Sequence, residues 1–114
     1  MGLFDTFRGP TYQNLSPEDA QAKLGTLRVI DVREVSEFND ALGHIAGAEL
    51  VPLATVGAAA ATWDKDAPVL MVCRSGGRSG RAAGLLAGMG FTAVYNLNGG
   101  MMGWNSAGLP VARS

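Results

Sequence analysis

The residues best equipped for chemistry run from Cys73 to Arg81, CRSGGRSGR: one thiol, paired glycines, and Arg74, Arg78 and Arg81 interleaved among them. Gly76 and Gly77 allow successive backbone N–H groups to turn inward without a Cβ clash, and a helix beginning there adds the partial positive charge of its N-terminus. Such a loop is an anion cradle. Amides, a helix start and cations all favour the ionised sulfur, so Cys73 is expected to be a thiolate at neutral pH and a competent nucleophile. It needs no general base, which matters because His44 is the only histidine in the chain. A cysteine that merely filled a core would gain nothing from three arginines and the Gly76–Gly77 pair within eight positions.

The elements around this loop must hold the thiol at an edge. VLMVC, residues 69 to 73, is an unbroken apolar run of the kind found in strands covered on both faces, and it ends on Cys73. Residues 79 to 89 place Ala82, Leu85, Leu86 and Met89 on one face of a helix that Gly90 stops before the strand AVYNL. Upstream, YQNL reads as a short extended piece, and Ser16 caps a helix over 17–24 with Pro17 in its first turn. LRVID and ELVPL read as strands, separated by a short helix whose Glu34, Glu37 and Asp40 face water, and residues 53–62 as an Ala-rich helix. Alternating strands and helices of this kind predict an α/β fold: an open, mostly parallel sheet with helices on both faces. Ligands bind such sheets beyond the strand C-termini, where both Cys73 and Asp31 fall.

The chain has 114 residues, one domain's worth, with a flexible leader over 1–10 and a single domain over 11–114. Hydrophobic residues make up 47% and charged residues 17%, which excludes disorder. A net charge of -1 offers nothing to a phosphate backbone, so no nucleic-acid partner is expected. The charge is nevertheless uneven: residues 1–66 carry all ten acids and five bases, whereas residues 67–114 carry four arginines and no acid. The second half should attract anions. A lone cysteine cannot form an internal disulfide or a multi-cysteine metal site, so neither metal nor cofactor is expected, and lone-thiol chemistry suits the cytoplasm. No apolar run is long enough for a membrane span. Gly2 and Thr6 fit the loose myristoylation pattern, which chance meets often.

CRSGGRS resembles the active-site loop of rhodanese-type sulfurtransferases, whose single-domain members have this length. DVREVSEF…GHIAGA…VPL, residues 31 to 53, is similar to the family's first signature, and NGGMMGWNSAGLPV, residues 98 to 111, to its second. Ala46 stands where the first signature usually has proline. The resemblance implies a five-stranded parallel sheet and a cysteine that carries a persulfide. It also makes loop length diagnostic, because four residues separate Cys73 from Arg78, whereas phosphatase relatives keep five to hold a tetrahedral phosphate. Position 79 is Ser, not Arg.

By this resemblance Cys73 takes sulfane sulfur from an anionic donor such as thiosulfate and passes it to a thiophilic acceptor, cyanide or a thiol, with ping-pong kinetics. The backbone from Arg74 through Ser75, Gly76, Gly77 and Arg78 to Ser79 would bind the transferred sulfur, and the Arg74 and Arg78 side chains would position donor oxygens. Asp31 and Arg33 either support the loop or form a plain structural ion pair. His44 is expected to pack, and Trp104 to seal the core after the last strand. The alternative function is a non-catalytic persulfide carrier or adaptor fed by a sulfur-relay partner. A phosphatase or arsenate reductase is disfavoured by the short loop.

Overall fold

The computed structural model describes residues 11–113. The leader over 1–10, with its Gly2 and Thr6 pattern, lies outside the described residues.

The centre of the sheet is β4 (Val69–Val72), in which all four side chains are buried. Val69 and Met71 pack to one side, with Ile30, Ala82, Ala83 and Leu86; Leu70 and Val72 pack to the other, with Val29, Leu97, Met101 and Trp104. That period-two division is why the run carries no polar residue: both faces of the strand are covered. β2 (Arg28–Asp31) lies on one flank of β4 and β5 (Val94–Leu97) on the other, with β3 (Glu49–Leu50) and β1 (Gln13–Leu15) at the edges. The order is β1-β5-β4-β2-β3, and every adjacent pair is parallel.

Parallel neighbours require crossovers, and helices supply them. α1 (Pro17–Lys23) begins where expected, with Ser16 Oγ accepting the Asp19 amide at 3.1 Å, and runs into a 3₁₀ turn at Leu24–Thr26. α2 (Val35–Phe38) is one turn long. α3 (Leu53–Ala60) and α4 (Gly77–Gly88) cover the face that carries Val69 and Met71. α1 and α5 (Gly100–Ser106) contribute Ala20, Met101 and Trp104 to the opposite face. Among the described residues no helix is long and apolar enough to cross a membrane.

Three expectations shift, and one helix appears that none covered. The strand expected over ELVPL ends at Leu50, because Pro52 has no N–H to continue the pairing and stands as the N-cap of α3, whose first amide, Leu53, bonds the Val32 carbonyl. α4 starts at Gly77, two residues before the expected start, since nothing between Gly77 and Ser79 interrupts helical bonding. Its buried stripe is Ser79, Ala82, Ala83, Leu86 and Ala87, a 3–4 spacing that leaves Leu85 half-exposed against Gly57 of α3. α5 carries no sequence signal of its start, because its N-cap is Gly99 with no side-chain cap.

Candidate active site

Cys73 follows directly on β4, at the C-terminal edge of the sheet, and the chain then wraps around its sulfur before entering α4. Gly76, the N-cap of α4, sits at φ 106°, a conformation open to glycine, and no side chain caps the helix. The uncapped amides are therefore free to face the sulfur: the Gly76 N–H donates to Cys73 Sγ at 3.0 Å. The loop is held open for this from behind. Met101 and Met102, at the start of α5, donate their amides to the Cys73 and Arg74 carbonyls at 2.8 and 3.0 Å, so the loop's carbonyls turn outward and its amides inward. Gly100 permits the contact, since a Cβ there would stand 2.5 Å from the Arg74 and Cys73 carbonyl groups at φ +58°.

Ser79, fully buried in the first turn of α4, donates its hydroxyl toward Cys73 Sγ at 3.2 Å. Burial pushes the Cys73 thiol up, but the Ser79 hydroxyl and the amides of Ser79, Gly76 and Ser75 outweigh it, and the thiol lies below its ordinary value. The direction matches the expectation, although hydrogen bonds rather than the arginine side chains are its main source. The cysteine is only 1% exposed, whereas Arg74, Ser75 and Gly77 of the surrounding loop are exposed. Such burial behind a loop favours a small anion over a bulky electrophile as the reagent.

Arg78 departs from the expected arrangement. Its Nη1 and Nη2 donate to the two carboxylate oxygens of Glu37, at 2.7 and 2.8 Å, in a bidentate pair that joins α2 to α4. Glu37 was expected in water with Glu34 and Asp40; instead α2 projects it onto α4. The reason lies in the helix start: Glu34 and Glu37 form a reciprocal capping box that fixes α2 in this direction. Hydrogen bonding to Arg78 holds the Glu37 carboxyl at about 2, against 4.5 ordinarily. The guanidinium is raised in turn, chiefly by Glu37, with smaller contributions from Cys73 and Asp31. Arg74 and Arg81 are exposed.

Asp31 and Arg33 are wired elsewhere. Both side chains are fully buried, and Arg33 grips Asp31 through Nε at 2.9 Å and Nη2 at 2.8 Å while Nη2 also donates to the Gly43 carbonyl at 2.8 Å. Among the described residues Arg33 Nη1 finds no hydrogen-bond partner, and it lies 3.9 Å from Asp40. These bonds fix the turn after α2, and none reaches the Cys73 loop. His44, in that turn, stacks on Phe38 at 3.8 Å and donates Nδ1 to the Phe38 carbonyl at 2.9 Å. Trp104 is 1% exposed and donates Nε1 to the Pro110 carbonyl at 2.9 Å. A cavity of about 160 Å³ between Thr11–Gln13 and Thr92–Tyr95 lies at the strands' N-terminal ends, away from the thiol.

Asn96 is the site residue that sequence reasoning missed. It shares the β5 face with Val94, and its Nδ2 donates to the Gly76 carbonyl at 3.2 Å and to Asn14 Oδ1 at 3.0 Å, while its Oδ1 lies 2.5 Å from Ser79 Oγ. An amide in an otherwise apolar AVYNL strand, at a position whose parity is buried, is the signal that could have found it.

A family model described as the rhodanese-like domain matches residues 16–107. The thiosulfate sulfurtransferase GlpE of Pseudomonas aeruginosa strain LESB58 is 37% identical over 97 residues, which cover 84% of this chain and 86% of that protein. The uncharacterized protein YqhL of Bacillus subtilis strain 168 is 39% identical over 92 residues, covering 81% of this chain and 71% of its own length. Among solved structures, a rhodanese-related protein from Thermoplasma volcanium superposes with a TM-score of 0.83 at 25% identity, over 90% of this chain and all of that one.

Proposed function

We propose, from the premise that this chain belongs to the rhodanese-like domain family and is a sulfurtransferase at family level, that it transfers sulfane sulfur through a persulfide on Cys73. The observation that carries this reading is the cradle around Cys73 Sγ: inward amides, the Ser79 hydroxyl, and only four residues between Cys73 and Arg78. A ring this short suits a single outer sulfur better than a phosphoryl group with its equatorial oxygens.

In the first half-reaction the Cys73 thiolate attacks the outer sulfur of thiosulfate. A new S–S bond forms, the old one breaks, and its electron pair leaves with sulfite. Cys73–S–S⁻ then carries one negative charge, which the amides of Ser75, Gly76 and Ser79, already lowering the Cys73 thiol, would stabilise. In the second half-reaction cyanide or a thiolate attacks the outer sulfur, and Cys73 departs as the thiolate. No proton needs to move in either step, consistent with a site without histidine: His44 is engaged with Phe38. Arg74 and Arg81, both exposed, draw the donor in, and Arg78 serves it while paired to Glu37. A reducing, cytoplasmic setting fits a lone nucleophilic thiol.

The carrier reading draws support from one observation: Arg78 is already bound by a carboxylate, so the cation meant for donor oxygens is partly neutralised. Mixing the protein with thiosulfate and cyanide separates the two. Thiocyanate formation lost in Cys73→Ser supports the enzyme; none above that control supports a carrier charged by a partner protein.

A further inference from the structure

The Ser79 hydroxyl has one proton and faces two acceptors. Asn96 Oδ1 lies 2.5 Å from Ser79 Oγ and Cys73 Sγ lies 3.2 Å from it. The orientation of the Asn96 amide is fixed, because the Gly76 carbonyl can only accept and therefore takes the Nδ2 end. Oxygen is thus the end presented to Ser79, and it cannot donate to Oγ in return. While Cys73 carries its own proton, the Ser79 proton rests with Asn96, the closer acceptor. When Cys73 ionises, the hydroxyl turns to the sulfur, and two oxygens 2.5 Å apart are left with no proton between them. Ionisation therefore breaks a hydrogen bond as well as forming one.

We propose that Asn96 is a positioning residue for the sulfur chemistry of Cys73: it competes with the sulfur for the Ser79 proton and so restrains formation of the thiolate. The proposal deepens the sulfur-transfer reading and rests on it for its consequence. Cys73 is the nucleophile in one half-reaction and the leaving group in the other. A more stable thiolate leaves faster but attacks less well, and the best attacking thiol has a pKa near the ambient pH. Asn96 holds Cys73 back from the extreme that amides and hydroxyl together would impose. Asn14 steadies this brake from the edge strand, since its Oδ1 accepts the second Nδ2 proton at 3.0 Å.

Among the described residues, the charged and titratable groups around Cys73 are Arg74 and Arg81 of its own loop and helix, Arg78 with Glu37, the Asp31–Arg33 pair, and the Tyr12 phenol near Gly80. None hydrogen-bonds Ser79 or Asn96, so all stay in place in the variants below.

Cys73 is the only cysteine, so the ultraviolet absorbance of its thiolate, followed against pH, reads that group alone. Ser79→Ala is expected to raise the midpoint. Asn96→Ala is expected to lower it and to speed alkylation by iodoacetamide, below the wild-type midpoint, by roughly two- to tenfold, the worth of one hydrogen bond. In the double variant the Asn96 effect should vanish, leaving the Ser79→Ala value. Asn96→Thr, whose hydroxyl is one bond too short to hold the contact and whose β-branch suits a strand, should shift the same way if the alanine variant does not fold. In the wild-type protein the Asn96 side-chain amide resonances should titrate with the Cys73 midpoint. A midpoint that stays or rises in folded Asn96 variants, an effect that survives in Ser79→Ala, or amide resonances indifferent to the titration would each overturn the proposal. If thiosulfate leaves Cys73 unmodified while these titrations behave as stated, the sulfur-transfer reading fails and the competition for the proton stands.

Discussion

Two buried polar clusters sit at the same edge of the sheet, and they are built on opposite terms. In the first, Arg33 holds Asp31 with bidentate bonds and passes a further one to Gly43, so the carboxylate is amply supplied with donors. In the second, Cys73, Ser79 and Asn96 hold more acceptors than protons, and the sulfur takes only what the loop amides and one shared hydroxyl provide. A cluster with donors to spare fixes a turn. An undersupplied one keeps a group whose charge can change, and so can react. Burial of polar side chains does not by itself separate structural from reactive sites; the count of donors against acceptors does.

The comparison breaks most visibly at the sulfur. Cys73→Ser should abolish thiocyanate production from thiosulfate and cyanide while leaving the thermal melt within a few degrees of wild type, because the change in volume is slight. Residual turnover would remove Cys73 from the mechanism. Arg33→Met should do the reverse. Stripping the buried Asp31 of its partner costs about 3–5 kcal/mol in urea unfolding, while sulfur loading per folded molecule is unchanged; a loss of loading in the folded variant would tie this pair to the site after all.

Arg78→Ala should lower kcat/KM for thiosulfate by about 1.5–3 kcal/mol, the range for a charge-assisted hydrogen bond. Unchanged kinetics would show that the cradle works through its amides alone. The smallest effect concerns acid. Because the folded-state pKa of Glu37 is depressed to about 2 from 4.5, its pairing stabilises the protein above the unfolded value and is lost as pH falls from 4.5 toward 2. Urea midpoints of wild type and Glu37→Gln should therefore converge over that interval; a gap that persists at its acid end would place the stabilisation elsewhere.

Much of this was legible in the sequence, and what was not has physical causes. The buried run at Val69–Val72, the Ser16 cap and the glycine-bounded thiol loop are local signals, and each appears where it was read. The Glu37–Arg78 pair joins residues 41 positions apart, and no local pattern distinguishes an acid aimed at a partner from one aimed at water. The direction of α2 decided it, and that comes from a capping box seen only in three dimensions. α5 was hidden because glycines begin it, and their use is to let the chain pass against the Arg74 carbonyl, a contact no spacing encodes. Asn96 was hidden for the opposite reason: its strand was obvious, and the apolar neighbours drew attention from the one amide among them.

The central claim is that Cys73 carries the transferred sulfur. Intact-mass spectrometry after incubation with thiosulfate tests it most directly. The account predicts a gain of one sulfur atom on the wild-type chain, reversed by a thiol or cyanide and absent in Cys73→Ser. A wild-type mass that does not change, or a gain that persists in Cys73→Ser, would contradict it.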